Sequence, residues 1–464
     1  MSVLANPKVS SFFSQLRGKR VAICGLGRNN IPVVRQFLKY GAVVTGYDRK
    51  DRRALGAAAD ELESAGVSLC LGEGYLDALL ERGADLIIRT PGLNPNQPQL
   101  EQARRKGIPV TSEMELFFEL CPAEITAVSG SDGKTTTTTI IAGLLEAAGY
   151  MVHLGGNIGR PLLPIIQEIG AGDKVVVELS SFQLCDMRQS PDVAVITNIS
   201  PNHLDWHSDM QDYINAKKNL IIWQDTGGTA VLNADNQHTQ SLSGLVRGEL
   251  LTFSRRERPK RGAWLTPDGF LTAVFDGVDT PVLHASEIRI PGTHNIENYL
   301  AAIAAVWGKV PQKTIADYAR SFSGVAHRCE FVRELDGVKW YNDSIGTSPS
   351  RTIAGLNSFD RRVILIAGGY DKHIPYDALG QTAARTVKRA ILMGQTAGAI
   401  KKEIQKYSDI PIDRVKDMEE AVITAKKIAK AGDIVFMSPA SASFDMYENF
   451  EERGNHFKQL VMKL

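Results

Sequence analysis

The chain has 464 residues, 43% apolar and 23% charged, with a formal net charge of +1, so it announces no basic surface for nucleic acid or acidic lipid and is long enough for about three domains. Five cysteines (24, 70, 121, 185 and 329) stand far apart without a Cys-x-x-Cys pair, which argues against a zinc site or a disulfide frame and fits a reducing cytosol. The start MSVLANPKVSSFF lacks the basic opening and long apolar core of a signal peptide. No run approaches the ~18 apolar residues that span a membrane, so a cytoplasmic protein without membrane insertion is expected.

The first block opens on an apolar run at 20–24, turns through Gly25-Leu-Gly27 and continues as a helix to about Tyr40. A second strand at 43–47 ends on Asp48, and a third at 85–88 runs into Thr90-Pro91-Gly92. Strands alternating with helices predict a parallel sheet with ligands at the strand C-terminal ends. The Gly-x-Gly-x-x-Gly fingerprint is incomplete, since Asn30 stands at its third glycine. A redox dinucleotide and a nucleotide diphosphate therefore both remain open.

The second block starts near Glu113. An apolar run at 124–128 leads into Val128-Ser129-Gly130-Ser131-Asp132-Gly133-Lys134-Thr135-Thr136, with a helix predicted from near Thr136. This order suits a nucleoside triphosphate. Glycines turn backbone N–H groups toward anionic oxygens, the helix N-terminus adds positive potential, Lys134 reaches the β/γ-phosphates and the Thr135 hydroxyl can ligate Mg²⁺. The full Walker spacing is not met, because Val128 stands where the first glycine falls; a surface turn is the bland alternative.

Further strands are predicted at 174–179 and 192–196. Glu178 closes the first and is placed to hold Mg²⁺, or else to cap a helix. Thr197 to His207 form a polar loop in which His203 is either a metal or substrate ligand or a structural histidine. Lys217 reads by itself as a solvated helix lysine. The turn-rich stretch 227–285 reads as an antiparallel edge, and an apolar helix follows over 297–307, after Pro291-Gly-Thr-His294-Asn295.

The third block begins near Gly324, with strands predicted at 338–341, 363–367, 390–393 and 434–437 alternating with helices. This is a second doubly wound pattern. Asp343 follows one strand end, and Ser438-Pro-Ala-Ser-Ala-Ser443-Phe444-Asp445 follows the last, with small hydroxyl residues suited to an anion or to a capped turn.

Taken together, Gly25-Leu-Gly27, Thr90-Pro91-Gly92, Gly133-Lys134-Thr135, Gly155-Gly-Asn157-Ile-Gly159, Glu178-Leu-Ser-Ser-Phe-Gln183, His203-Leu-Asp205, His294-Asn295 with Asn298, His327-Arg328 and the C-terminal run from Ser438 to Gly454 resemble the Mur ligase family nearly end to end. The resemblance implies an α/β protein of three domains. A Rossmann-like domain over 1–112 would bind the UDP substrate and a central P-loop-type domain over 113–323 would bind ATP. A Rossmann-like, doubly wound domain over 324–464 would take the incoming amino acid and close over both. It further implies ATP-dependent amide formation through an acyl phosphate, in the branch that adds D-glutamate to UDP-N-acetylmuramoyl-L-alanine for peptidoglycan. A monomer with small-molecule partners only is expected.

Site residues follow by matching positions. For ATP these are Gly130, Ser131, Asp132, Gly133, Lys134, Thr135, Thr136, Asn295, Asn298, Arg328 and Asp343. For the muramoyl substrate they are Arg28, Asn29, Asp48, Thr90, Gly92, Asn157, Ser180 and His203, and for D-glutamate Thr347, Lys372, Ser443 and Phe444. Thr135 and Glu178 match the Mg²⁺ bridging ATP, His203 matches a second Mg²⁺, and Lys217 matches the lysine that the family carbamylates to support it. Lys134, Glu178, His203 and Lys217 are thus the implied catalytic set. At an ordinary pKa of about 10.4, only roughly one lysine in a few thousand is neutral at pH 7, so carbamylation of Lys217 requires burial or metal to shift that balance.

The chain departs from the family pattern at four places. Ile345 stands where Lys is frequent, Asp132 replaces Asn in the phosphate loop, Phe444 replaces Leu in the glutamate pocket, and Asn202 replaces an acid before His203. A sister ligase adding L-alanine, a diamino acid or a dipeptide, a folyl-polyglutamate synthase, and a nucleotide sensor without turnover remain alternatives. The Asp-Asn-Pro-Arg of a diaminopimelate pocket does not occur in the chain.

Overall fold

In the computed structural model, which describes residues 6–27, 30–204 and 206–464, three sheets organise the chain. Arg28 and Asn29, expected at the substrate turn, and Asp205 lie outside the described residues. The first sheet comprises β1 (Arg20–Cys24), β2 (Val43–Asp48), β3 (Ser68–Leu71), β4 (Leu86–Arg89) and β5 (Val110–Ser112), in the order β3-β2-β1-β4-β5. Every pair is parallel. Residues 21–24 of β1 are all buried, as expected for a strand covered by helices on both faces.

The second sheet carries nine strands: β6 (Glu124–Ser129), β7 (Val152–Gly156), β8 (Lys174–Glu178), β9 (Val193–Ile196), β10 (Thr229–Asn233), β11 (Glu249–Ser254), β12 (Gly262–Leu265), β13 (Phe270–Phe275) and β14 (Val278–His284). Their order is β14-β13-β12-β11-β10-β9-β6-β8-β7. The antiparallel edge expected over 227–285 is only partly correct. β10, β11 and β12 extend the parallel sheet, and antiparallel pairing begins between β12 and β13. The reason is in the connections. A helical turn at Gln237–Gln240 and a 3₁₀ turn at Ser243–Leu245 carry the chain back from β10 to β11, whereas four residues join β12 to β13 as a hairpin.

The third sheet comprises β15 (Glu330–Leu335), β16 (Val338–Asn342), β17 (Val363–Gly368), β18 (Val387–Met393), β19 (Ile412–Arg414) and β20 (Ile434–Met437), ordered β15-β16-β20-β17-β18-β19. Only β15 runs antiparallel, as a hairpin partner of β16. The described residues fall into two compact units. One runs up to Leu283 and resumes over Glu297–Ile315, and the other consists of His284–Ile296 and Ala316–Leu464.

Within the first unit the first two sheets are joined by side chains that are costly to bury alone. Glu113, 6% exposed at the start of the helix Glu113–Leu120, accepts the Leu163 N–H at 2.9 Å, and burial raises its pKa. Arg89, 1% exposed at the end of β4, donates through Nε to Asp186 at 3.0 Å and forms a second bond to the same carboxylate. It also donates to the backbone oxygens of Thr90 and Leu93 at 3.2 and 3.1 Å. A buried cation persists only when paired and hydrogen-bonded in this way. Among the described residues no helix is long and apolar enough to cross a membrane.

Candidate active site

β6 is an interior strand of its sheet, between β8 and β9, so the loop after it opens at a point flanked by two other strand ends. The helix Lys134–Ala147 starts on Gly133, whose φ of 77° is left-handed. A Cβ there would also run into the Asn298 side chain, so only glycine fits. The first bond of this helix is Thr137 N–H to Gly133 C=O at 2.9 Å, so the helix N-terminus, an end that favours an anion, opens directly after Gly133. Lys134 Nζ donates to Ser131 C=O at 2.8 Å and thus curls over the loop.

The loop itself is shaped by residues after β9. Ser131 N–H donates to Asn198 C=O at 2.8 Å, and Asp132 N–H to the Asn198 side-chain oxygen at 3.0 Å. The Thr197 hydroxyl donates to Asp132 C=O at 2.6 Å. Thr136, half-buried, follows Thr135 on the same first turn, while the Asp132 side chain is exposed.

On the other flank, the Thr135 hydroxyl donates to Glu178 Oε2 at 2.6 Å, and Asn157 Nδ2 donates to Glu178 Oε1 at 2.8 Å. Glu178 is 1% exposed. Among the described residues no group of three His, Cys, Asp or Glu side chains is placed to hold a metal ion. Magnesium on a nucleotide needs only one or two protein oxygens beside phosphate and water, and the Thr135–Glu178 pair meets that requirement. Ser180 caps the short helix Ser181–Leu184 through a reciprocal box with Gln183.

Lys217 is not a solvated lysine. It is 1% exposed, donates to Gly130 C=O at 2.7 Å and sits 4.7 Å from the Tyr213 ring centroid. Burial first, and the Lys134 charge second, drive its pKa well below the ordinary 10.5. Its helix, Met210–Ile222, grips the loop a second time through Tyr213 OH and Ser131 Oγ at 3.0 Å. His203 is exposed, has a left-handed φ of 55°, and packs its ring 4.9 Å from that of Phe182. Nearby, buried His207 joins Asp212 through Nδ1 and the Ser181 hydroxyl through Nε2, each at 3.0 Å.

In the first sheet the turns after β1 and β4 flank the point where the strand order reverses. Asp48 accepts the Leu26 N–H at 2.7 Å and the Lys50 N–H at 2.8 Å, so its carboxylate shapes the turn expected to hold the UDP substrate. Thr90 N–H donates to Cys24 C=O at 2.7 Å, bringing Thr90-Pro91-Gly92 beside that turn.

In the second unit, loops after β16, β17 and β20 meet at one sheet edge. Asp343 is 4% exposed and accepts the Ser438 hydroxyl at 2.6 Å and the Cys329 N–H at 3.1 Å; burial pushes its pKa up to about 6. Tyr370 N–H donates to Ala442 C=O at 3.0 Å. Lys372 Nζ lies 5.8 Å from the Phe444 ring centroid, beside buried Ser443, and Phe444 is 61% exposed. Thr347 N–H donates to Ile345 C=O at 2.7 Å in the turn after β16, and Ile345 N–H donates to His327 C=O at 3.1 Å. Arg328 follows His327 directly. Asn295 is 6% exposed and donates to Pro291 C=O at 2.5 Å, and Asn298, in the first unit, accepts the Thr137 hydroxyl at 3.1 Å.

Three family models match the chain in succession: the Mur ligase MurD-like N-terminal domain over residues 19–112, the Mur ligase middle domain over 128–306, and the Mur ligase glutamate ligase domain over 327–441. The chain belongs to the Mur ligase family. A UDP-N-acetylmuramoylalanine–D-glutamate ligase of Acetivibrio thermocellus is 50% identical to it, with 98% of this chain and 99% of the relative covered. A protein of the same name from Ruminiclostridium cellulolyticum is 47% identical, over 99% of this chain and 100% of the relative. The crystal structure of the UDP-N-acetylmuramate-alanine ligase MurC of Thermotoga maritima shares the fold, with a TM-score of 0.56 at 17% identity over 96% of this chain and 99% of that one.

In this Mur ligase the residues that steady the phosphate loop from outside are not marked by the sequence. Thr197, Asn198 and Tyr213 carry no motif of their own; the available signal was that 197–198 follow a strand of the same parallel sheet. Strain marks the loops as well. Seven described non-glycine residues have positive φ, and five of them, His203, His327, Cys329, His373 and Ala440, lie on loops of the candidate sites. The other two, Asp276 and Asp336, sit in hairpin turns.

Proposed function

We infer that this Mur ligase joins D-glutamate to UDP-N-acetylmuramoyl-L-alanine, converting ATP to ADP and phosphate, in peptidoglycan precursor synthesis. The observation that carries the reading is an end-to-end match to ligases of that name on a chain whose phosphate loop brings Thr135 and Glu178 together at 2.6 Å. The functional division is proposed as 1–112 for the UDP substrate, 113–323 for ATP and 324–464 for the amino acid. The protein acts in the cytoplasm as a monomer, with no nucleic-acid partner.

The muramoyl-L-alanine carboxylate attacks the γ-phosphorus, the bond to the β-phosphate oxygen breaks, and an acyl phosphate and ADP result. The D-glutamate amine then attacks the acyl carbon, loses a proton, and phosphate leaves from the tetrahedral intermediate. The first step sets an anion against a polyanion. Lys134 opposes that repulsion with a fixed charge, and the N–H groups at the helix start add fixed dipoles. Thr135 and Glu178 would hold Mg²⁺ beside the phosphates, with His203 and carbamylated Lys217 holding a second ion; bound there, magnesium neutralises phosphate charge. Asp48, Thr90, Gly92, Asn157 and Ser180, with Arg28 and Asn29, orient the uridine and diphosphate. Asn295, Asn298, Arg328 and Asp343 take the nucleotide. Thr347, Lys372, Ser443 and Phe444 receive the amino acid, whose two carboxylates call for a cation and hydroxyl donors.

The deciding assay is ADP release from ATP and UDP-N-acetylmuramoyl-L-alanine with amino acids supplied singly. Release that depends on D-glutamate is expected. Release with L-alanine or a diamino acid in its place would overturn the assignment.

A further inference from the structure

The last helix, Phe450–Lys463, carries an arginine that no step of the reaction uses. Arg453 is 0% exposed. Its Nε donates to the Ser344 hydroxyl oxygen at 3.0 Å and Nη2 to Ser344 C=O at 2.9 Å. Nη1 donates to Ser441 C=O at 3.1 Å and to Ala442 C=O at 3.0 Å. One planar fork therefore ties the loop after β16, directly beyond Asp343, to the loop after β20, directly before Ser443 and Phe444. Gly454 lets the helix approach this closely, since a Cβ there would collide with the His327 ring.

All four of these acceptors are neutral, so the guanidinium is buried without a carboxylate in hydrogen-bond contact. Burial lowers its pKa to about 10, with Asp445 the leading opposing charge. A methionine or leucine would fill the same volume at lower desolvation cost. What an apolar side chain cannot do is collect three inward-facing carbonyls from two loops, and lysine lacks the planar fork that reaches them together. Ser441 is held from its far side as well, its hydroxyl lying 2.8 Å from Thr396 Oγ1 and 3.0 Å from Tyr376 OH. The segment leading to Ser443 is thus clamped on both sides.

We propose that Arg453 is a positioning residue for the incoming amino acid: its guanidinium fixes the 441–444 segment against the Ser344 loop so that Ser443, Phe444 and Lys372 present one preformed pocket. The proposal rests on the assignment of that pocket to D-glutamate. It predicts a selective defect, because the UDP-substrate residues belong to other domains.

The test is steady-state kinetics of the full chain with each substrate varied in turn, for Arg453→Lys, Arg453→Met and Ser443→Ala. Arg453→Lys keeps the charge and a similar volume, so it decides the matter if Arg453→Met does not fold. Expected is a D-glutamate KM raised at least tenfold in Arg453→Lys, a smaller rise in the ATP KM, and an unchanged KM for the UDP substrate. A D-glutamate KM within twofold of wild type, or three KM values moving by one common factor, overturns the role of Arg453. If Ser443→Ala moves the D-glutamate KM while Arg453→Lys does not, the pocket stands and the clamp alone fails. If Ser443→Ala also leaves that KM unmoved, the pocket assignment falls and the proposal falls with it.

Discussion

The phosphate loop of the second sheet and the 438–445 loop of the third occupy the same kind of place, the C-terminal edge of a central parallel strand, yet they are held in different ways. At the phosphate loop a helix start presents backbone N–H dipoles, and the side chains of Asn198, Thr197 and Tyr213 steady that backbone from outside. In the 438–445 loop the carbonyls of Ser441 and Ala442 turn inward onto a buried cation, which, on the proposed assignment, leaves recognition to side chains. On the proposed assignment a triphosphate makes the same demand in every such enzyme, and backbone dipoles with one fixed cation answer it. An amino acid must be distinguished from its relatives, and on that same assignment side chains would provide the distinction.

This contrast can be broken most directly at Lys134. If the phosphate loop depends on its backbone and one fixed cation, Lys134→Ala loses on the order of 10²- to 10³-fold in turnover with the fold intact, measured as kcat for ADP release. Near-normal turnover would show that dipoles alone suffice. The second loss concerns Lys217. Its amine is already biased toward the neutral form that carbamylation consumes. Lys217→Ala is expected to lose roughly 10- to 100-fold in rate, as supporting groups of a metal site do, and to recover part of it with added short carboxylates. Intact mass of the wild type under mild conditions should show the added CO₂. No rescue and no added mass would return Lys217 to a structural role.

The last effect is one of stability, in the third sheet. Asp343 has its pKa raised from 3.8 to about 6 by burial, so the fold favours its protonated form. The associated stability is fully present below pH 3.8 and is lost as pH rises through about 6. Asp343→Asn, which cannot ionise, should therefore gain on wild type between those limits and hold a constant gain of about 3 kcal/mol above them, relative to its standing at low pH. Denaturant titrations at pH 4, 5, 6, 7 and 8 would read this directly. A difference that does not change with pH would mean that burial leaves the carboxyl at its unfolded pKa.

How much of this was legible in sequence follows from range. The phosphate loop, Glu178 and the strands at 174–178, 193–196 and 434–437 are local patterns, and they fold where their periodicity and glycines place them. The short strands β3, β5 and β19, of three or four residues each, carry too little pattern to declare themselves. Turn-rich composition does not reveal which way a chain returns, so it predicts an antiparallel edge where β10 to β12 run parallel. Lys217 departs furthest from its local pattern, since whether a helix lysine faces water or a loop backbone 87 residues away is not written in its neighbours. Arg453 and Ser344 are 109 positions apart, and nothing between them announces the contact.

Arg89 and Asp186 have a practical consequence for anyone who exchanges segments among these ligases. Their carboxylate–guanidinium bond crosses from the first sheet to the second, over 97 positions of chain. A hybrid that inherits Arg89 from one parent without an acid at 186 from the other would strand a dehydrated charge, an error worth about 3–5 kcal/mol. The two segments are best swapped as a single cassette.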